Sequence, residues 1–185
     1  GVDQGNAVIS EIGLKNLHGE PYFKALDACV QTIMASFNSW NGKKLHGSNY
    51  LLNNVLKGQM NFDGLIVGDW NGHGQVKGCS NTSCPQAFNA GVDIFMVPDE
   101  WQELYKNTIK QAKNGSISKE RLNDAVRRIL RVKMQIGLLD GKKPHEYKYN
   151  FIGDPEHVKI ARRAVRESLV LLKNNENLLP LDPTK

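Results

Sequence analysis

Short apolar runs alternate with longer amphipathic stretches along most of the chain, which is how strands and helices taken in turn read. Apolar residues recur at helical spacing from about Ser10 to Val30, broken near His18-Gly19-Glu20-Pro21, and Thr32 to Phe37 then reads as a strand. After a loop from Asn38 to Gly47, Asn49 to Gln59 carries Leu51, Leu52, Val55 and Leu56 on one helical stripe. Leu65-Ile66-Val67 is an uninterrupted apolar run, as in strands buried on both faces of a parallel sheet. A long loop from Trp70 to Pro85 and a short helix precede the strand Val92 to Val97, which Pro98 stops. Helix then follows helix: Glu100 to Lys113, and a second, capped by Ser118, whose Leu122, Val126, Ile129, Leu130 and Ile136 fall on one face. Asp140 to Asn150 is polar, holds Gly141 and Pro144, and reads as a linker. Asp154-Pro155-Glu156 opens a last helix to about Lys173 with a cap, a first-turn proline and an acid at the positive helix end, and Asn177 to Leu181 is extended.

Three strands are too few for a barrel or a stable sheet, so the alternation predicts a piece of a larger α/β domain, beginning after a strand that lies upstream. With 40% apolar residues, the 185-residue chain can build a real core. No apolar run approaches the roughly 20 residues that span a bilayer, so no membrane partner is expected. Gly1 to Asn6 lack the basic and apolar regions of a signal peptide.

The formal charge of +5 invites a nucleic-acid reading, but its distribution argues against one. Residues 1–118 hold 9 Lys/Arg against 10 Asp/Glu, a net of −1, and residues 119–173 hold 14 against 7, a net of +7. The excess sits on two helical segments, where Arg127, Arg128 and Arg131 are expected to share a solvated face, with no interleaved aromatics or nucleic-acid motif. Of the three cysteines, Cys29 is expected to be a buried thiol within a helix. Cys79 and Cys84 bracket a polar turn, Ser80-Asn81-Thr82-Ser83, and can close a small disulfide loop in an oxidising compartment. Two free thiols are the alternative; a zinc site lacks further ligands at a suitable spacing.

Chemistry in parallel α/β folds gathers just past the C-terminal ends of strands. Three such ends occur: Ser36-Phe37-Asn38, Asp69-Trp70-Asn71 and Met96-Val97-Pro98-Asp99. Asp69 follows the buried run and precedes an indole and a glycine-rich loop. A carboxylate beside an indole suits sugar chemistry: the ring stacks on a pyranose face, and the carboxylate attacks or stabilises an oxocarbenium-like carbon. The competing reading, that Asp69 caps the next turn, is not beaten by pattern alone. Gly72-His73-Gly74 lacks the spacing of a phosphate-binding loop. His73 and His46 read as loop residues contacting backbone or substrate hydroxyls, Trp40 as a possible platform, and Trp101 as packing.

The segments Met34-Ala35-Ser36-Phe37-Asn38-Ser39-Trp40-Asn41-Gly42 and Phe62-Asp63-Gly64-Leu65-Ile66-Val67-Gly68-Asp69-Trp70 resemble glycoside hydrolase family 3, in its exo-β-glucanase/β-glucosidase branch. The resemblance continues through Ala90 to Pro98 and Ala125 to Lys133 and ends with Glu167 to Asn175, so it covers nearly the whole chain. It implies the C-terminal part of a TIM-type (β/α)8 barrel in residues 1–140, and in residues 141–185 a linker and helix leading to a second α/β domain. It implies that Asp69, at the end of the seventh strand, is the nucleophile of a retaining β-glucoside hydrolase. Trp70 matches a wall of the aglycone clamp, and Ser36, Met34 and Met96 match positions lining the sugar pocket. Phe37 stands where many members carry a Tyr, so that hydroxyl is lost here, and Gly68 replaces a common Ser. The resemblance implies that the family's Lys-His pair is to be expected upstream of Gly1 and its acid/base carboxyl downstream of Lys185; Asp93, Asp99 and Glu100 are not taken for that role. The implied partners are β-linked glucosides and the remaining segments of the same enzyme. No cofactor or metal is called for, and a periplasmic or secreted compartment is expected. A β-xylosidase and an inactive carbohydrate-binding fragment are the alternatives.

Overall fold

A computed structural model describes residues 3–141, 151–182 and 184 of the chain. They fall into two compact units, Gly1–Lys142 and Lys143–Lys185.

The first unit opens with a strand the periodicity does not announce, β1 (Asn6–Ala7). Ser10 then caps α1 (Glu11–Leu14) by accepting the Gly13 N–H at 3.1 Å. A π-helical stretch, Lys15–Gly19, joins α1 to α2 (Glu20–Asp27). This is the expected interruption: the wider turn leaves room for the ring of Pro21, which has no N–H to donate. The helix stops at Asp27, and Cys29 adopts a left-handed φ of 59° beyond it. Its thiol is therefore exposed and not buried in a helix.

β2 (Thr32–Met34) is shorter than the expected strand, because Ser36 and Asn38 turn the chain by bonding each other: Ser36 Oγ donates to Asn38 Oδ1 and accepts the Asn38 N–H. The presumed loop that follows contains a hairpin, β3 (Ser39–Trp40) and β4 (Lys43–Lys44). Asn41 and Gly42 sit at its tip with φ of 47° and 80°, the positive values that suit a two-residue hairpin turn. β3 also pairs in parallel with β1, and Trp40 Nε1 donates to the Ile9 carbonyl at 2.9 Å. Trp40 is thus held in place as packing, with its ring stacked on Tyr50.

β5 (Leu65–Val67) pairs in parallel with β2, in the register Thr32↔Leu65, Ile33↔Ile66 and Met34↔Val67. The expected strand from Val92 to Val97 contributes only the bridge Val67↔Ile94 to this sheet. The π-helix Tyr50–Gln59, α3 (Pro85–Ala90), α4 (Trp101–Lys113) and α5 (Lys119–Gln135) complete the first unit. The core forms where Leu52 and Leu56 of the π-helix, Ile66 of β5, Ala87 and Ala90 of α3, and Ala35, Phe62 and Val92 converge.

One carboxylate ties these layers together. Asp93, its side chain fully buried, accepts the Ile66 N–H at 2.8 Å, pairs with Lys57 Nζ at 2.9 Å and also pairs with Arg121. Asp124 completes the cluster with Lys57, Arg121 and Arg128, and Arg128 donates to the carbonyls of Phe62 and Gly64. Arg128 therefore faces the β5 entry and not a solvated surface; its side chain is 14% exposed. Burial holds the Lys57 pKa below the ordinary lysine value although Asp93 pulls the other way. Burial would raise Asp124, but Lys57, Arg128 and Arg121 hold it below the ordinary carboxylate value.

In the second unit Asp154 caps α6 (Pro155–Ser168), accepting the Glu156 N–H at 2.8 Å. The helix ends at Ser168, short of the expected Lys173, because Leu169 turns extended. Most of the expected linker from Asp140 to Asn150 lies outside the described residues. Among the described residues no helix is long and apolar enough to cross a membrane.

Replacing Asp93 by Ala leaves the buried Lys57 and Arg121 with only the partly exposed Asp124 as a carboxylate partner and the Ile66 N–H unpaired. Denaturant unfolding of the Asp93→Ala protein is expected to show a loss of about 3–5 kcal/mol. Asp124→Ala, at a side chain 38% exposed, is expected to cost less.

Candidate active site

Asp69 lies two residues past β5, and its surroundings follow from where each strand ends. The segment is tied to the stretch after α3 by two donors: Gly68 N–H donates to the Ile94 carbonyl at 2.7 Å and Asn71 N–H to the Met96 carbonyl at 2.9 Å. Between them, the Asp69 N–H donates to His46 Nε2 at 2.9 Å. Trp70 N–H donates to Asp69 Oδ1 at 2.6 Å, and Gly72 N–H to the Asp69 carbonyl at 2.9 Å. Asn71 takes a left-handed φ of 53° and turns the chain into the one-turn 3-10 helix Gly72–Gln75.

Asp69 is half-buried and Trp70 is 58% exposed, so the carboxylate sits at a mouth with an indole at its rim. Phe37 is half-buried, with its ring 6.2 Å from the His46 ring. Ser36 spends its hydroxyl on Asn38. Met96 is half-buried and touches the site through its carbonyl. Met34, in register with Val67, is 47% exposed. With Ser36 it borders an apolar cavity of about 770 Å³ between β2, α2 and the π-helix, whose lining includes neither Asp69 nor Trp70. The structure thus gathers Asp69, Trp70, Phe37 and Met96 about one strand end, while Met34 and Ser36 also open onto a different hollow.

Both histidines are buried and bond main-chain groups, the backbone contact that their loop positions predict. His46 is fully enclosed, and burial lowers its pKa from 6.5 to about 4; Asp69 pulls it up, while His73 and Lys44 push it down. The Ser36 main chain also favours the protonated ring, without forming a hydrogen bond to Nδ1. At neutral pH the ring is uncharged, and since Nε2 accepts, Nδ1 carries the proton. His73 bonds the Asn81 carbonyl through Nε2 at 2.8 Å and meets Phe95 edge-on, and burial lowers its pKa.

The Asn81 loop is closed by a disulfide between Cys79 and Cys84, whose Cα atoms are 4.7 Å apart. α4 braces it further: Asn107 donates to the Thr82 carbonyl and Gln111 to Ser83 Oγ. Trp101, expected as packing, is 56% exposed at the start of α4, where Leu104 is the residue that packs. Among the described residues no three His, Cys, Asp or Glu side chains cluster as metal ligands would.

Sequence reasoning missed His46 as a neighbour of Asp69. The Asn41-Gly42 pair was the available signal, since it marks the hairpin that delivers the Leu45–Gly47 turn to the strand end. Nothing in the spacing announces the contact itself, which joins residues 23 apart.

A parallel sheet flanked by helices, with a carboxylate and an indole just past one strand, is the arrangement of α/β barrels, whose functional groups gather at the C-terminal ends of the strands. Residues 1–132 match the glycosyl hydrolase family 3 N terminal domain, and the chain belongs to that family. It is 50% identical to the exo-1,3/1,4-β-glucanase ExoP of a Pseudoalteromonas species, with a TM-score of 0.84 over 98% of this chain and 23% of that one. It is 32% identical to a periplasmic β-glucosidase of Salmonella typhimurium, over 98% of this chain and 25% of that protein. It is 31% identical to a β-xylosidase of Formosa agariphila, over all of this chain and 27% of that protein. The fold is α/β and forms part of a (β/α)8-type barrel. The chain spans about a quarter of the length of such relatives.

Two outcomes follow from this geometry. Between about pH 4 and 6.5 His46 is neutral when folded and protonated when unfolded, so the unfolded chain binds more protons. Stability fully present above pH 6.5 should therefore fall towards pH 4, by an amount on the order of 3 kcal/mol from this group, measurable by denaturation across that range. A thiol reagent is expected to label only Cys29 in the native oxidised protein and all three cysteines after reduction and unfolding.

Proposed function

We propose that the enzyme carrying this chain is a retaining β-glucoside hydrolase in which Asp69 is the nucleophile. The carboxylate attacks the anomeric carbon as the bond to the aglycone oxygen breaks, and an acid protonates that oxygen as it leaves. Water, deprotonated by the same group acting as base, then cleaves the glycosyl ester, releasing glucose and restoring the carboxylate. The observation that carries this reading is the position of Asp69 past β5, half-buried, with one oxygen bound by the Trp70 N–H and an exposed indole beside it. Trp70, Phe37, Ser36, Met34 and Met96 are assigned to the sugar site on the family resemblance.

A retaining mechanism needs a second carboxyl about 5–5.5 Å from the nucleophile. Asp93 is committed to the buried ion cluster. The reading assigns the acid/base to a segment outside these residues, with residues 1–140 serving the barrel and 141–185 leading towards a second domain. On that assignment the isolated chain is inactive. The Cys79–Cys84 disulfide and the periplasmic relative support a periplasmic or secreted compartment. The β-xylosidase relative keeps pentosides as a second specificity, which a panel of nitrophenyl glycosides separates from glucosides.

In the full-length enzyme, Asp69→Ala is expected to abolish hydrolysis of nitrophenyl β-glucoside. A 2-deoxy-2-fluoro β-glucoside with a good leaving group should leave its sugar on the peptide containing Asp69, detected by mass spectrometry. Activity within a few-fold of wild type, or an adduct on another residue, would sink the assignment.

A further inference from the structure

The register of the parallel sheet makes a specific demand at Asp69 that the sheet does not meet. Leu65 N–H donates to the Gln31 carbonyl at 3.0 Å, and Ala35 N–H returns to the Val67 carbonyl at 2.9 Å. In a parallel ladder the acceptor advances by two residues with the donor, so the next rungs fall on Ile33 for Val67 and on Ala35 for Asp69. The Ala35 carbonyl is not used at that last rung, because the chain has already turned away through Ser36 and Asn38. His46 Nε2 accepts the Asp69 N–H instead.

The imidazole is enclosed by the same segment whose N–H it holds. A Cβ on Gly72 would come within 2.3 Å of His46 Cε1, and one on Gly68 would stand 3.5 Å from Cδ2. Residues 68 to 72 are folded around the ring, with no side chain possible at Gly72. The ring is fully buried, so it cannot move away without opening the segment.

We propose that His46 is a positioning residue: standing in for a strand carbonyl, its Nε2 fixes the main chain of Asp69 and so the aim of the carboxylate. The inference rests on the reading of Asp69 as nucleophile. The Trp70 N–H holds Oδ1, and among the described residues no hydrogen bond engages Oδ2, leaving that oxygen to face the sugar. The first bond sets where the Cα–Cβ bond points, and the second sets the rotation of the carboxylate. Misplacing a reacting group by about 1 Å costs roughly 10²-fold in rate. The group must accept a hydrogen bond and carry no charge; a neutral imidazole does both.

The test compares two polar replacements in the full-length enzyme. His46→Gln can bring an amide oxygen to the place of Nε2, whereas His46→Asn is too short to reach it. His46→Asn is expected to lower kcat on nitrophenyl β-glucoside by about 30- to 100-fold, with KM changed less than about threefold. His46→Gln should recover most of that loss. Assays are made below the melting temperatures of both variants, so that a purely structural role appears as a lowered melting point with kcat preserved. Equal kcat in the two variants, or a KM effect without a kcat effect, would overturn the inference. The fluoro-sugar adduct in the wild-type enzyme distinguishes the two claims. An adduct away from Asp69 defeats the nucleophile reading, whereas an adduct on Asp69 with equal Asn and Gln variants defeats only the role of His46.

Discussion

The Asp93 carboxylate stands where three layers meet, bound at once to the main chain of β5, to Lys57 of the π-helix and to Arg121 of α5. A buried ion cluster is weak evidence for net stability, since desolvation offsets most of the Coulomb gain. Its consequence here is geometric. Each partner is a fixed donor, and the register that aligns Ile66 with Ile33 is the one in which the Ile66 N–H faces this carboxylate. Arg128 adds a second tie at the entry to the same strand through the Phe62 and Gly64 carbonyls. The strand that leads to Asp69 is thereby held at its base by charge and along its length by Ile66, Phe62 and Val92 in the core.

At the other end of that strand the constraint is polar satisfaction. A main-chain N–H in a half-buried place needs an acceptor, and leaving one unpaired costs about 1–3 kcal/mol. The first four donors past β5 each find one: Ile94, His46, Asp69's own carboxylate and Met96. Such saturation produces a rigid mouth with one carboxylate oxygen and one indole left facing outwards. Rigid placement is what the proposed covalent mechanism requires, because on that reading the carboxylate must meet the anomeric carbon without reorganising. The disulfide loop adds to it from the far side, by holding Asn81 against His73 in the turn after Asp69.

The family membership of this chain and the strand that carries Asp69 were legible because both are local. Leu65-Ile66-Val67 followed by Gly68-Asp69-Trp70 is contiguous, and so is the run from Ala90 to Pro98. Ser118, Asp154 and the residues after them also declared their helices, as caps act over one turn. Errors arose where a residue's state depends on how the chain closes. Cys29 was expected inside a helix, and the chain leaves the helix two residues earlier. Arg128 was expected on a solvated face, and its main-chain partners lie more than sixty residues away.

The sequence by itself determined the α/β alternation, the helix starts, the position of Asp69 past a buried strand and, through resemblance, the family. These depend on the order of neighbouring residues and on their chemistry. Tertiary structure decided that His46 takes the place of a strand carbonyl, and that Gly72 must stay bare against its ring. It also decided that Asp93 belongs to the scaffold, through its hold on Lys57 and Ile66. Each of these is a contact between residues more than twenty positions apart. No local spacing encodes which distant donor will meet which acceptor once the layers close.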